Sequence, residues 1–172
     1  MTHRWTPKGI YHDRLLRPGQ PMGDAGWRPN LVVDRCRALL AAFMKGDGPL
    51  GIQRIVLGRG EAAWDQVPPP PPEPEALALT DPAPVEVAIP PVAMVYLDAA
   101  GNPSVDPTAR IEITVDLGPG IPPPDPEGTF PLREFGLVGE LGGAAALIDL
   151  VRHPVLHKGP NDTLVRTIRL EF

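Results

Sequence analysis

The stretch Arg110-Ile-Glu-Ile-Thr-Val-Asp-Leu117 alternates apolar and polar residues with a period of two. In an extended chain this pattern points Ile111, Ile113, Val115 and Leu117 to one face and the polar side chains to the other. A strand with one apolar and one polar face is typical of antiparallel sheets, which can leave one side in water. The stretch therefore predicts a sheet with one buried face.

The last segment, residues 164–172, repeats this alternation with one exception. Arg166 falls on the same face as the apolar residues Leu164, Ile168, Leu170 and Phe172. Because an unpaired buried guanidinium is costly, Arg166 needs a partner. We expect Glu134, which lies among apolar residues in the predicted strand 130–138, to pair with it and to fix the register of the fold.

Further strands are predicted at residues 52–57, 92–97 and 147–152, separated by turns rich in glycine and proline. One helix is predicted over residues 31–45, with Asn30 as its N-cap, because apolar residues recur there at steps of three and four. Together these elements predict a mainly β fold, an antiparallel β-sandwich with one N-terminal α-helix and long Pro-rich extended arms.

The predicted organisation has four parts. Residues 1–29 read as an irregular N-terminal arm, because glycine, proline and aspartate interrupt every run. Residues 30–66 hold the helix and one strand, and residues 92–172 form the β-sandwich domain, expected to be one unit with 30–66. Residues 67–91 contain ten prolines, so a polyproline II arm is expected, laid along a neighbouring subunit or acting as a spacer. An edge strand is expected to begin within this arm, at residues 85–89.

Bulk composition limits the classes of partner. The net charge of −5 argues against a phosphate backbone or an anionic membrane, so neither nucleic acid nor membrane is expected as a partner. Cys36 is the single cysteine, which excludes an intrachain disulfide and a cysteine-based zinc site. No apolar run reaches membrane-spanning length, and the N-terminus lacks the apolar core of a signal peptide. We expect synthesis in a bacterial cytoplasm.

The histidines do not predict a catalytic or metal site. His153 and His157 are four residues apart, but Pro154 prevents a regular helix that would place both rings on one face. Asp149 is the one carboxylate close to them in sequence, which is too few groups for a metal set. We therefore expect no metal site here, only surface histidines in a loop.

Two other features could carry chemistry and are interpreted as structural. Gly58-Arg59-Gly60 resembles part of a phosphate-binding turn, but no third glycine or helix follows, which favours a turn at the end of a strand. Cys36 lies on the apolar face of the predicted helix, so it is expected in the core. The sequence therefore predicts no enzyme, no catalytic residue and no cofactor.

Two segments resemble a known family. Residues 30–34 (NLVVD), 37–42 (RALLAA) and 52–60 (IQRIVLGRG) are similar to the opening of phage tail-fibre and tail-collar proteins, where a helix precedes an "I-x-x-I-x-L-G-x-G" strand. Residues 130–137 (FPLREFGL) and 164–172 (LVRTIRLEF) resemble the "I-R-E-I-G-L" strand and the closing strand of the same domains. Both segments stand in the order that the family shows.

The resemblance implies the N-terminal anchoring domain of the tail-collar and tail-fibre family. Family fibres continue into a long shaft and a receptor-binding tip, whereas this chain ends at Phe172, so the resemblance implies a collar, fibre-anchoring or baseplate component. It implies a place in a phage virion tail or a contractile injection system, with other tail, baseplate or fibre proteins as partners.

The same resemblance assigns structural roles and a symmetry. Glu134 and Gly136 would shape a bend in their strand. The sequence itself, apart from the resemblance, predicts that Gly58 and Gly60 close the strand before the Pro-rich stretch. A homo-oligomer of threefold or sixfold copy number is expected, to match the axis of a tail. The alternative is a free-standing receptor- or glycan-binding β-sandwich module, which would need an exposed cluster of aromatic side chains.

Overall fold

The computed structural model describes residues 6–172, and over these residues the chain forms one antiparallel sheet of ten strands and one α-helix. The elements in chain order are β1 (Lys8–Leu16), β2 (Gly23–Val32), α1 (Asp34–Lys45), β3 (Leu50–Gly58), β4 (Val85–Ala88), β5 (Met94–Leu97), β6 (Pro103–Ser104), β7 (Arg110–Leu117), β8 (Phe130–Leu141), β9 (Ala144–Lys158) and β10 (Thr163–Glu171). Two short 3-10 helices, Ala62–Asp65 and Pro91–Ala93, lie in the connections.

The sheet is curled, so that its two ends lie close together. Its strand order is β4-β3-β8-β9-β2-β1-β10-β7-β5-β6, which places β4 and β5 near opposite ends. Yet only residues 89–93 join them, and a chain of that length spans at most about 20 Å. Val87 of β4 and Val115 of β7 accordingly line one small cavity across the gap.

The inside of the curl holds the hydrophobic core. One cluster of buried side chains draws on both halves of the sheet, with members such as Ile55, Ile113, Leu132, Phe135 and Ile168. The alternation that predicted β7 is confirmed, because Ile113, Val115 and Leu117 are buried while Thr114 and Asp116 are exposed. In β10 the predicted inward residues Leu164, Ile168 and Leu170 are buried and Arg166 is fully buried with them, but Thr167 on the opposite face is buried as well.

The helix prediction is confirmed at its C-terminal end and wrong at its start. Gly46 ends α1 in the left-handed conformation with φ of 84°, which glycine adopts without steric cost. The helix begins only at Asp34, after Val33 in the N-cap position with no side-chain cap. Asn30 is not an N-cap, because residues 31 and 32 continue β2 and pair with β9.

The prediction of an irregular segment over residues 1–29 is wrong for the described part, where β1 and β2 form. Residues 1–5 lie outside the described residues. β1 was missed because its inward positions alternate Tyr11 with Asp13, a charged residue that hides the apolar pattern. β2 was missed because residues 23–29 are all exposed, so no side chain there carries a burial signal.

Two further strands differ in extent from their predictions. β9 continues to Lys158 through the predicted His/Gly/Pro loop, because β8 pairs with it along nearly its whole length. The edge strand expected at residues 85–89 is confirmed as β4, which pairs only with β3 and stands at the end of the sheet. No helix within residues 6–172 is long and apolar enough to span a membrane.

Candidate functional site: a receptor for the proline-rich strap

Residues 68–84, here called the strap, connect the first 3-10 helix to β4 and lie against the outer face of the sheet. Among the prolines at 68–72, Pro69 and Pro72 are half-buried and the other three are exposed. This spacing of three residues matches a polyproline II helix that lays one of its faces on the sheet. The Arg152 guanidinium of β9 donates to the carbonyls of Pro70 and Pro71 at 3.4 and 3.5 Å. The sheet thus orients this first part of the strap.

Two glycines form a pit that receives Leu79 of the strap. A Cβ on Gly58 would lie 2.9 Å from Leu79 Cδ2, and a Cβ on Gly136 would lie 3.3 Å from Leu79 Cδ1. The same Cβ on Gly136 would lie 2.6 Å from the backbone oxygen of Asp149, so this strand position requires glycine. Leu79 packs there on an outer apolar cluster made of Val33, Val56, Val138, Leu147 and Leu150.

Glu134 binds the strap through its backbone. Its side chain is fully buried, with Oε2 accepting a hydrogen bond from the Thr80 N–H at 3.1 Å and Oε1 accepting one from the Asp81 N–H at 2.7 Å. Arg152 Nε lies 3.9 Å from Oε2 and supplies positive charge. A buried carboxylate with two peptide donors and a nearby guanidinium is well compensated, so Glu134 stabilises the seated strap.

Asp81 extends the network from the strap back to the sheet. Its Oδ2 accepts a hydrogen bond from the Arg59 N–H at 2.8 Å, and its Oδ1 accepts one from the Ala83 N–H at 2.9 Å. The Arg59 guanidinium in turn lies 2.7 Å from Asp125, and this hydrogen bond holds the pKa of the Asp125 carboxyl below its usual value. The strap therefore both donates hydrogen bonds to the rest of the chain, at Glu134, and accepts one from it, at Arg59.

A clamp next to the pit fixes the start of the strap. Gly60 has φ of 57°, and a Cβ there would clash with the Trp64 ring, so the close turn requires glycine. Arg133 donates to Asp65 at 2.6 and 2.7 Å and to the Arg59 carbonyl at 2.8 Å. This fork holds the first 3-10 helix against β8, where the chain leaves β3.

Gly58, Gly60, Glu134 and Gly136, singled out from the sequence, all meet at this site, but the predicted Arg166–Glu134 pair is wrong. Arg166 pairs inside the core with Asp13, at 2.7 Å for Nε–Oδ1 and 2.6 Å for Nη2–Oδ2. The physical reason is a register shift in β8 between Leu132 and Glu134. This irregularity lets Leu132 face the core while it turns Glu134 to the outer face.

The inner cluster around Arg166 is a separate arrangement. Arg166 stacks on the Phe135 ring at 3.8 Å, and its Nη2 donates to His153 Nε2 at 3.3 Å. His153 Nδ1 donates to the Pro154 carbonyl at 2.8 Å. Burial and the charge of Arg166 lower the pKa of His153 to about 4, so the ring is neutral at pH 7.

The two histidines that the sequence placed close together do not converge. His153 is buried within the core, whereas His157 is exposed farther along β9, with Nδ1 at 3.3 Å from Thr129 Oγ1. Cys36 is buried as predicted, and burial raises the pKa of its thiol to about 11. Among residues 6–172 no three His, Cys, Asp or Glu side chains are grouped so that they could hold a metal ion.

Asp149 joins three strands next to the pit and was missed as a structural residue. Its Oδ1 accepts a hydrogen bond from the Leu137 N–H at 2.6 Å, and its Oδ2 accepts one from Asn30 Nδ2 at 2.7 Å. Burial raises the pKa of Asp149 to about 7. No local pattern reveals this role, because it depends on a register shift between β8 and β9 after Leu137.

Comparison of the chain with protein-family models, with curated proteins and with solved structures gave no match. The resemblance to tail-collar and tail-fibre proteins therefore stays a prediction from the motifs.

Proposed function

We propose that the protein is a structural adaptor that acts by protein–protein assembly and performs no chemistry. The observation that carries this proposal is a group of exposed apolar side chains on residues 92–105. This segment contains β5 and β6, which stand at one end of the strand order. Val92 and Val105 are 87% and 97% exposed, and Val95 and Tyr96 lie between them in sequence at 37% and 39%. Large apolar side chains that are left in water are candidates for contact with other proteins.

A second apolar surface lies on the helix. Phe43 and Met44 at the C-terminal end of α1 are 67% and 84% exposed. Each large side chain removed from water on docking contributes about 1.5–3 kcal/mol, so either surface is a source of binding free energy. A chain with apolar surfaces on two different elements can contact two neighbours, which is what an adaptor requires.

The motifs at residues 30–60 and 130–172 support a place in a phage tail or a tail-derived contractile injection machine, as a collar, fibre-anchoring or baseplate component. Its partners would be other tail, baseplate or fibre proteins, with three or six copies around the axis. In the assembly the two halves of the curled sheet would act as the layers of a β-sandwich. Within residues 67–91, the strap would be the part that acts as a Pro-rich arm, because its prolines limit the loss of chain entropy on docking, while β4 stays paired with β3.

The test is incorporation of variants into purified tail-like particles, followed by mass spectrometry. The double substitution Val95→Asp and Val105→Asp places two charges in the apolar surface, and we expect at least tenfold less of this variant in particles. Met22→Asp is the matched control, because Met22 is 52% exposed in the turn between β1 and β2. Circular dichroism confirms that both variants are folded.

Two results would overturn the adaptor proposal. One is full incorporation of the Val95/Val105 variant, and the other is absence of the wild-type protein from the particles. A compact monomer that binds a glycan in solution would instead favour the receptor-binding alternative.

A further inference from the structure

We propose that the pit and carboxylate formed by Gly58, Gly136 and Glu134 also bind the strap of a second copy of this chain, so that two copies are linked by strap exchange. This inference goes beyond the adaptor function, because it names a homotypic contact and does not depend on a phage tail. It rests on the contacts that the strap makes within its own chain.

The site recognises a short peptide by three separate contacts. Leu79 fills the pit, the consecutive N–H groups of Thr80 and Asp81 donate to the fully buried Glu134 carboxylate, and the Asp81 side chain accepts from Arg59. The receptor half of each contact belongs to β8, to Gly58 at the end of β3 or to Arg59 directly after it, and the ligand half belongs to the strap. The chemistry selected is therefore a leucine followed, two residues later, by an aspartate on an extended backbone.

The occupant that fits these contacts by identity is the same segment of another copy. Exchange of identical elements between copies replaces each broken contact with an equal one, so the free energy of seating is unchanged. The cost that remains is that of association and of chain ordering. The prolines at 68–72 and at 82 and 84 lower the ordering cost, because they keep both flanks of the strap extended when it is released.

The strap contributes little buried apolar surface to its seat. Leu79 and Ala76 are its contributions to the outer apolar cluster, and both are only half-buried. The chain before the strap is clamped by Arg133 on Asp65, and the chain after it pairs with β3 as β4. Opening therefore frees a loop between two fixed points and leaves the core intact, which is how a locally unstable segment behaves.

The experiment is a complementation between two full-length variants. Glu134→Gln impairs the receptor and leaves the strap intact, whereas Leu79→Ala with Asp81→Ala impairs the strap and leaves the receptor intact. Mixed together, the intact strap of the first can seat only in the intact receptor of the second. We expect native mass spectrometry to show at least tenfold more heterodimer in the mixture than homodimer in either variant alone.

The matched control mixes the strap-impaired variant with a chain that carries Glu134→Gln and Leu79→Ala together. This mixture has no intact strap, so we expect no heterodimer above the homodimer level. Heterodimer that persists in this control would overturn the proposal, because the contact would not involve Leu79. The absence of heterodimer in the first mixture, with both variants folded by circular dichroism, would overturn it as well.

A peptide measurement decides the case if Glu134→Gln does not fold. A fluorescent peptide of residues 76–84 (ALALTDPAP) is titrated into the Leu79→Ala chain, where the resident strap competes less well. We expect about fivefold tighter binding to this variant than to the wild-type chain, which corresponds to about 1 kcal/mol lost by the resident strap, and loss of binding when the peptide itself carries the Leu79→Ala change. Equal binding of both peptides, or none, would overturn the proposal while leaving the particle test of the adaptor function unaffected.

Discussion

Arg166 and Glu134 are both fully buried charges, and the molecule compensates them in different ways. Arg166 lies inside the curled sheet and is matched by a second charge, the carboxylate of Asp13. Glu134 lies under the strap on the outer face and is matched mainly by peptide N–H groups of Thr80 and Asp81. Sequence reasoning paired the two charges with each other, whereas the structure places them on opposite faces of the sheet.

The difference separates a permanent contact from one that can open. Asp13 and Arg166 are 153 residues apart and lie opposite each other on β1 and β10, so their buried pair ties the first strand to the last. The donors to Glu134 sit on a loop, and they can leave while every strand stays paired. The first pair should therefore govern global stability, and the second should govern local opening.

The largest expected effect is that of Asp13→Ala. The substitution leaves Arg166 buried without its carboxylate, and removing one partner of a buried pair costs about 3–5 kcal/mol. Urea unfolding followed by circular dichroism measures the loss. Asp116→Ala, at an exposed position of β7, is the control and is expected to change stability by less than about 0.5 kcal/mol.

A second variant sharpens that result. Replacing both partners, Asp13→Leu with Arg166→Met, removes the uncompensated charge, and we expect it to be more stable than Asp13→Ala alone. A loss below about 1 kcal/mol for Asp13→Ala would contradict the assignment of this pair as the main electrostatic contact of the core.

The comparison also shows how much of the molecule could be predicted from its sequence. β7 was predictable because its buried and exposed residues alternate along the sequence. β10 was predictable because apolar residues stand at every second position apart from Arg166. β2 was not, since its residues 23–29 are exposed on both faces. β1 was not predictable, because its inward-facing Asp13 pairs with Arg166 near the other end of the chain, and no local stretch of sequence contains both residues.

The site was predictable in part. Its glycines at the end of β3 and within β8 stood out, and so did the buried position of Glu134. The strap could not be matched to them, because the contact depends on the register shift beside Arg133, and such a shift has no signature in composition. The glycines indicated a close approach of backbone, but not which segment approaches.

The next effect in size is a dependence of stability on pH that two buried groups conceal. The pKa of Asp149 is raised from 3.8 to about 7 by burial, and that of His153 is lowered from 6.5 to about 4 by burial and by Arg166. Of these two groups, only Asp149 carries its titratable proton in the folded chain between about pH 4 and 6.5. In the unfolded chain only His153 carries its titratable proton over the same range. The two states therefore bind equal numbers of protons, and we expect these two groups together to change the free energy of unfolding little with pH.

Single substitutions should reveal the two slopes. In Asp149→Asn the unfolded chain binds one proton more than the folded chain, on His153. The free energy of unfolding should therefore rise with pH by up to about 1.4 kcal/mol per unit between about pH 4 and 6.5. In His153→Gln the folded chain binds one proton more than the unfolded chain, on Asp149, so the free energy of unfolding should fall as pH rises towards about 7. Urea unfolding at half-unit pH steps measures both, and slopes of equal sign would contradict the assignment.

The smallest expected effect is that of Leu79→Ala, and it distinguishes the outer site from the inner one most directly. Leu79 is half-buried, so we expect the free energy of global unfolding to fall by no more than about 1 kcal/mol. Hydrogen exchange of the Thr80 and Asp81 amides should nevertheless become at least fivefold faster, because their bonds to Glu134 depend on the seated strap. Leu77→Ala, at a position that is 70% exposed, is the matched control and should change neither quantity. Protection lost equally in the strap and in β10 would mean that the strap is part of the cooperative core, and the contrast between a fixed pair and a releasable one would then disappear.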